Sequence, residues 1–455
     1  MADEQEAPHS RIITPLCDDD AVDPEVYVSP APARLRTDVF VTFGGKAATL
    51  FFGLVTAAII ARHLGPSGQG LFAVAYSLTL MLVQVGGLGL TTANPYFAAR
   101  RPGAIPRIIA NALWLAALLG VALVAAGILI KAAIPGLLEG LDWTPLLVTF
   151  AGIPGALAAL FLQSVLLGEG RMVAYNAIEV TQAALTLVAL AACYAFFDVG
   201  LTGTLVVLSA ARYVAAAAYF LVLSRRTRVV STPDPGLARS MLRYGFRVYV
   251  AILVSFLVIR LDLLLVNAYL GQTEAGLYSV AATLADGMFV LPTVIGLNLL
   301  PRVARGDPTD ASAEVFRSVA VLYGLLCLLT VPVAGPVIRL FFGERYVGAT
   351  SLYYWLLPGI FCLGMLTILS HHFAGRGYPP QAIAFWVFGL ALNIALNLVF
   401  LPGRGAWVAA LTSSITYAVL LVLHMWLFVQ EAGHPKALIP RPGEVARFVR
   451  VAFSR

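Results

Sequence analysis

Six ionisable side chains interrupt otherwise apolar runs of this 455-residue chain. Lys46 stands in GGKAATL, Glu179 in AYNAIEVTQAAL, Arg212 in LSAARYVAAAAYF, Arg260 and Asp262 in VIRLDLLL, and Asp286 in AATLADGMFV. A charge at the middle of a membrane helix costs about 2.5–3.5 kcal/mol on insertion scales, so it normally faces a cavity or a partner. The cations Lys46, Arg212 and Arg260 suit an anionic headgroup such as a phosphate, which they would hold by charge-assisted hydrogen bonds. The carboxylates Glu179, Asp262 and Asp286 suit a coupling proton or sodium ion, or serve as counter-ions to those cations. Plainer roles compete. Lys46 can snorkel to the membrane surface, and Arg212 can pair with Glu179 or Asp286. Arg260 and Asp262 are two residues apart on a helix and point to different faces, so they do not pair with each other. Asp262 can instead cap its helix or pack against the opposite half of the molecule.

Other chemistry is excluded. Gly45-Lys46 is not part of a phosphate-binding loop, because Phe40 stands where GxxxxGK requires glycine. His371 and His372 diverge by about 100° on a helix and make a poor two-ligand metal pair. The four cysteines are far apart, so no disulfide framework or CxxC metal site is expected. Asn94, Gln163, Asn176, Gln182, Asn267, Asn298, Asn393 and Asn397 are polar groups suited to line a cavity or bridge helices.

The elements that carry these residues are membrane helices. Hydrophobic residues make up 60% of the chain and charged ones only 12%, against roughly 25% in soluble domains. Segments of about 20 apolar residues are expected at 38–62, 71–93, 108–130, 145–167, 173–197, 201–223, 246–269, 276–299, 316–340, 350–372, 381–401 and 406–429. With the N-terminus inside, 22 of the 30 Lys and Arg fall on inner segments, six on outer segments and two within helices. That asymmetry predicts both termini in the cytoplasm. The net charge of +6 therefore reports topology and not nucleic-acid binding, since no basic patch with interleaved aromatics occurs. Residues 1–37 are acidic and proline-containing, without the pattern of a signal peptide, and are expected to be a disordered tail. Residues 225–245 form a basic linker between halves 38–224 and 246–430. In 431–455, the stretch PGEVARFVRVAFSR predicts a basic amphipathic helix on the inner leaflet.

The halves repeat. LGPSGQGLFAVAYSL at 64–78 and LGQTEAGLYSVAATL at 270–284 share seven of fifteen residues at an offset of 206, including Gly65/Gly271 and Gly70/Gly276. The same offset pairs Pro95 with Pro301. An offset spanning six helices keeps both copies in the same orientation, as in transporters with an axis along the membrane normal. The expected fold is all-α, with about twelve transmembrane helices in two parallel six-helix lobes around a central cavity.

These motifs resemble the polysaccharide-transport branch of the multidrug/oligosaccharidyl-lipid/polysaccharide exporter superfamily. The likeness rests on Leu64, Gly65, Pro66 and Gly70 after the first helix, and on Asp262, Leu270, Gly271, Gly276 and Tyr278 across the seventh and eighth. It spans about 38–430 and leaves the acidic tail unexplained. It implies a flippase moving an undecaprenyl-pyrophosphate-linked oligosaccharide across a bacterial inner membrane by alternating access. Glycosyltransferases or a polymerase of the same pathway would be partners, with no cofactor beyond a coupling proton or sodium ion. The main alternative is a cation-coupled multidrug exporter of the same superfamily, although two intramembrane cations would repel cationic drugs. An enzyme would need a larger outer loop than 131–144, the longest one expected here.

Overall fold

The computed structural model describes residues 32–227, 232–304, 306, 309–434 and 437–439. Fourteen α-helices and three short 3-10 turns account for almost all of them. The N-terminal half holds α1 (Pro32–Gly86), α2 (Leu90–Arg100), α3 (Ile105–Ala133), α4 (Trp143–Ala151), α5 (Ile153–Gly168), α6 (Met172–Phe196) and α7 (Leu201–Ser224). The C-terminal half holds α8 (Pro235–Leu270), α9 (Gln272–Met288), α10 (Val290–Ala304), α11 (Thr309–Phe341), α12 (Ala349–Gly375), α13 (Pro380–Phe400) and α14 (Trp407–Ala432). Helices satisfy every backbone polar group internally, which is what a chain in hydrocarbon must do. Large apolar side chains such as Leu118, Val121, Phe196 and Leu328 point outward, as a lipid-facing surface allows.

Among the described residues, ten helices are long and apolar enough to cross a membrane, or eleven with the bent α9–α10 pair taken as one span. The expected twelve differs from this at one place. Residues Gly44–Gly86 form a single 43-residue stretch broken at Gly65. A straight helix of that length would run roughly 65 Å, about twice the hydrocarbon thickness. The chain instead doubles back. Lys46 lies against Tyr175 near the start of α6, and His63 stacks on Tyr194 near its end, with ring centroids 3.9 Å apart. Tyr76 is already back beside Arg212, halfway along α7. We call the level of Lys46 the entry side and that of His63 the far side.

The turn needs glycine. Gly65 has φ 70° and ψ 174°, and its repeat partner Gly271 has φ 84° and ψ 178°, a region essentially closed to other residues. The repeat then makes a contact with two-fold character. A Cβ on Gly70 would fall 1.9 Å from the Gln272 carbonyl oxygen, and one on Gly276 would fall 1.9 Å from that of Pro66. Pro66 and Gln272 stand at the same 206-residue offset as the two glycines. Each half thus presents the same patch to the other, an isologous contact generated by parallel repeats about an axis.

Two boundaries differ from expectation. Residues 32–37, assigned to the tail, already belong to α1. Helix α8 begins at Pro235, inside the expected linker 225–245, because Pro235 opens the first turn and the Asp234 carboxylate accepts from the Leu237 amide at 3.0 Å. The proposed C-terminal amphipathic helix and residues 1–31 lie outside the described residues.

The halves also meet away from the axis. On the far side, Tyr346 Oη donates to the Ala61 carbonyl at 2.6 Å and Arg62 Nε to that of Phe341 at 2.7 Å. On the entry side, Tyr249 Oη donates to the Val85 carbonyl at 2.6 Å, Tyr96 stacks on Tyr244 at 4.2 Å, and Asn111 exchanges two hydrogen bonds with the Asp234 backbone.

Candidate functional site

The six charges do not converge on one constellation; they sort into an N-terminal and a C-terminal group. Close approach of α1 to α6 creates the first. A Cβ on Gly45 would lie 2.9 Å from the Asn176 side-chain oxygen, so only glycine brings the two helices this near. That approach delivers Lys46 Nζ to Glu179, 2.7 Å from Oε2 and 3.0 Å from Oε1. Tyr175 Oη accepts from the same ammonium at 3.2 Å, and Gln163 donates to Glu179 Oε1 at 2.9 Å. Lys46 therefore does not snorkel. It is one half of an ion pair whose carboxylate is further held by an amide, the arrangement that makes a part-buried pair tolerable.

Arg212 stands apart. Its guanidinium carbon lies 5.5 Å from the ring centroid of Tyr76, and no carboxylate pairs with it among the described residues. Neither expected partner is available to it, because Glu179 holds Lys46 and Asp286 holds Arg260. The α7 backbone is kept close to α4: Ser209 Oγ donates to the Val148 carbonyl at 3.1 Å and Tyr213 Oη to that of Ala151 at 2.6 Å. A planar cation is thus fixed beside an aromatic face, half-buried, with donors free for an anion.

In the C-terminal group, Arg260 on α8 donates to Asp286 on α9 at 2.8 Å. Arg260, grouped with the headgroup cations from sequence, thus brings its own counter-charge. Asp262 does not pair with Arg260 and does not reach across to the other half. It is buried, accepting from Tyr278 Oη and from Ser413 Oγ at 2.8 Å, while the Leu263 amide donates to its other oxygen at 2.9 Å. The network continues through Asn393, which donates to Ser413 at 3.4 Å, Asn397, which donates to the Asn393 carbonyl at 2.9 Å, and Thr412, which donates to Asn397 at 3.1 Å. A cavity of about 30 Å³, lined in part by Arg260, Asp262, Tyr278, Asp286 and Tyr417, adjoins the carboxylate. That is room enough for an ordered water.

Ser413, Thr412 and Tyr417 were not singled out from sequence. The signal was there: TSSIT is a run of hydroxyls in an apolar helix, and Asn393 and Asn397 stand four apart on one face. His372 serves a different purpose, bonding Ser312 at 2.9 Å and Glu431 at 3.3 Å at the entry side of the C-terminal half. Among the described residues no group of three or more His, Cys, Asp or Glu is arranged for a metal ion.

Comparison with known proteins agrees with this architecture. The family model described as polysaccharide biosynthesis protein matches residues 35–306. The succinoglycan biosynthesis transport protein ExoT of Rhizobium meliloti is 26% identical over 422 residues, 86% of this chain and 79% of that protein. An uncharacterized membrane protein of Methanocaldococcus jannaschii is 23% identical, and the probable low-salt glycan biosynthesis flippase Agl15 of Haloferax volcanii is 19% identical. Those two matches span 42% and 44% of the relatives' lengths. Among solved structures, the lipid II flippase MurJ in an inward closed conformation superposes with a TM-score of 0.70 at 12% identity, over 92% of this chain and 93% of that one. An inward-facing multidrug transporter of the MATE family gives 0.67 at 16% identity, over 87% and 98%. The structural likeness establishes the fold, and the family match covers more than half of the chain. The chain belongs to the polysaccharide biosynthesis protein family.

Proposed function

We propose that the protein flips a lipid-linked oligosaccharide, of the undecaprenyl-pyrophosphate type, from the cytoplasmic to the outer face of a bacterial inner membrane. The observation that carries this reading is Arg212, a half-buried guanidinium without a carboxylate partner among the described residues of a glycan-family transporter. A pyrophosphate offers pairs of anionic oxygens that a planar guanidinium binds in bidentate fashion. Lys46 is the second headgroup contact, released from Glu179 when the anion arrives. The entry side is cytoplasmic in this reading, and both termini lie there. The halves rock about the Gly70–Gly276 contact, passing the headgroup while the polyprenyl tail stays in lipid. The relatives' names, a succinoglycan transport protein and a probable glycan flippase, point to the same cargo class. Glycosyltransferases or a polymerase of one pathway would supply and consume that cargo.

Asp262 is the site where a proton or sodium ion couples to movement. A buried carboxylate beside a water-sized space, ringed by hydroxyls, can exchange a proton or ligate a small cation. Arg260 and Asp286 border that space as a fixed pair. Cation-coupled drug export gains nothing from the family match, and an unneutralised Arg212 repels organic cations.

The deciding experiment is transport of a labelled lipid-linked oligosaccharide into proteoliposomes. Wild-type protein should translocate it, and Arg212→Ala should slow translocation about ten- to a hundred-fold, the loss of one or two charge-assisted hydrogen bonds. Translocation by the variant at the wild-type rate would overturn the assignment.

A further inference from the structure

A large groove lies apart from the six intramembrane charges. It encloses about 1180 Å³ between α3 and the first turns of α8, on the entry side. That exceeds the roughly 300–1,000 Å³ of pockets for drug-sized ligands. Two helical faces build it. Asn111, Trp114, Leu118 and Val121 recur at three- and four-residue spacing on α3, while Arg239, Leu242, Arg243 and Phe246 face them from α8.

The wedge has a structural cause. At its mouth the two helices are tied together, Asn111 and Arg107 holding Asp234 at 2.8–3.3 Å. Deeper in, each helix leans toward a different neighbour. On α3, a Cβ at Gly120 would lie 2.8 Å from Pro154 of α5; on α8, one at Gly245 would lie 2.2 Å from the Gly89 carbonyl oxygen. Tight packing on both outer flanks therefore opens the space between them.

The lining is apolar except at one end. Arg239 and Arg243 stand one turn apart, both exposed, and no carboxylate among the described residues lines the groove. Asp234, close by, is engaged by Arg107 and by its own helix start. The groove lies at the level of the first half of the α3 span, with the arginines on the segment just before the α8 span begins at Val248. An apolar slot that ends in two guanidiniums at the edge of the hydrocarbon matches one chemistry, acyl chains joined to a phosphate headgroup.

We propose that this groove binds an anionic glycerophospholipid of the cytoplasmic leaflet, with its chains against Trp114, Leu118 and Val121 and its phosphate on Arg239 and Arg243. The assignment rests on the orientation given under the proposed function, because that leaflet carries the anionic lipid. It does not rest on Arg212 or on the cargo. Since α3 belongs to the N-terminal half and α8 to the C-terminal half, the lipid would sit between the two moving bodies.

The test is lipid retention by the full chain, reconstituted in bilayers of phosphatidylcholine with phosphatidylglycerol and then read by native mass spectrometry. Wild-type protein should retain phosphatidylglycerol preferentially. Arg239→Gln/Arg243→Gln should lower that preference roughly thirty-fold, while Arg239→Lys/Arg243→Lys should keep most of it. Leu118→Trp, which fills the slot without touching the charges, should reduce retention of both lipids. Arg225→Gln/Arg226→Gln, on the same side but outside the groove, should change nothing. Equal retention of both lipids by the wild type overturns the proposal, as does undiminished preference in the glutamine variant. An equal loss in the Arg225/Arg226 control would mean general surface charge and overturns it too. Selective binding that emerges only after removal of residues 1–31 would give the groove to the chain's own acidic segment, with the same consequence.

Discussion

The two halves share a backbone plan and differ in how they keep charge inside a membrane. In the N-terminal half, Glu179 retains 17% side-chain exposure and Lys46 40%, and Arg212 lies beside Tyr76 with no carboxylate partner among the described residues. In the C-terminal half, Asp262 is 2% exposed and wrapped by hydroxyl and amide donors. Half-buried cations that solvent still reaches can exchange partners at little cost, which suits the anionic cargo proposed above. A sealed carboxylate has room to exchange only something as small as a proton or an ion, and its hydrogen bonds tie it to α9 and α14, with α13 one bond further on. Under the proposed function, the parallel repeats take unequal tasks through side chains alone.

That inequality should be most visible in stability. Asp262→Ala removes the acceptor for Tyr278 and Ser413, leaving buried hydroxyls unmatched at about 1–3 kcal/mol each. A total loss of roughly 2–5 kcal/mol is expected, measured as a lowered thermal midpoint in detergent. Asp262→Asn, which keeps an acceptor oxygen, should restore most of that stability while abolishing the dependence of transport on an ion gradient. Gradient-dependent transport by the amide variant would remove Asp262 from coupling and leave it a packing residue.

The shared plan can be attacked next. Gly70→Ala and Gly276→Ala both drive a methyl into a carbonyl oxygen of the other half. Each should cost about 1–3 kcal/mol by overpacking. If the axis is a true pseudo-dyad, the two losses should agree closely, and the double variant should cost less than their sum because the helices separate only once. Unequal losses would show that the repeat is a matter of sequence ancestry at this contact and not of mechanical equivalence.

A smaller effect separates Arg212 from an ordinary positive charge. Arg212→Lys keeps the charge and loses both the planar fork and the ring stacking. Transport should fall about three- to ten-fold, less than for Arg212→Ala, with the deficit in apparent affinity for the cargo. A lysine variant as slow as the alanine variant would mean that stacking on Tyr76, not anion binding, is what the guanidinium provides.

Much of this is legible in the sequence. Gly65 and Gly271 could be matched by sequence because their backbone conformation excludes other residues, so the repeat survives in the letters. The chemistry-bearing residues were legible too, since Lys46, Glu179, Arg212, Arg260, Asp262 and Asp286 stand out against apolar surroundings. Their partnerships were not. Lys46 meets Glu179 across 133 positions and Asp262 meets Ser413 across 151, and nothing local encodes either contact. The start of α8 is obscured for another reason: its arginines dominate the composition of 225–245 and mask the capping signal in Asp234-Pro235. Arg239 and Arg243 read as topology determinants until the structure set them over an apolar groove.

The smallest expected effect tests whether the Lys46–Glu179 pair is a lock or a spare contact. Removing Lys46 leaves Glu179 with Gln163 and Tyr175, so some compensation survives. Removing Glu179 leaves an ammonium facing a phenol. Because Lys46 is substantially exposed, solvent screens the pair, and a coupling of only about 1 kcal/mol is expected from a double-mutant cycle of Lys46→Met and Glu179→Gln. The cycle becomes informative when repeated with cargo present. A lysine that transfers to an arriving headgroup should show that coupling shrink toward zero, since the ammonium no longer belongs to Glu179. A lysine with a purely structural role should show the same coupling with and without cargo. That second outcome would leave Arg212 as the cation that reads the anion, and would make the contrast between the halves one residue wide.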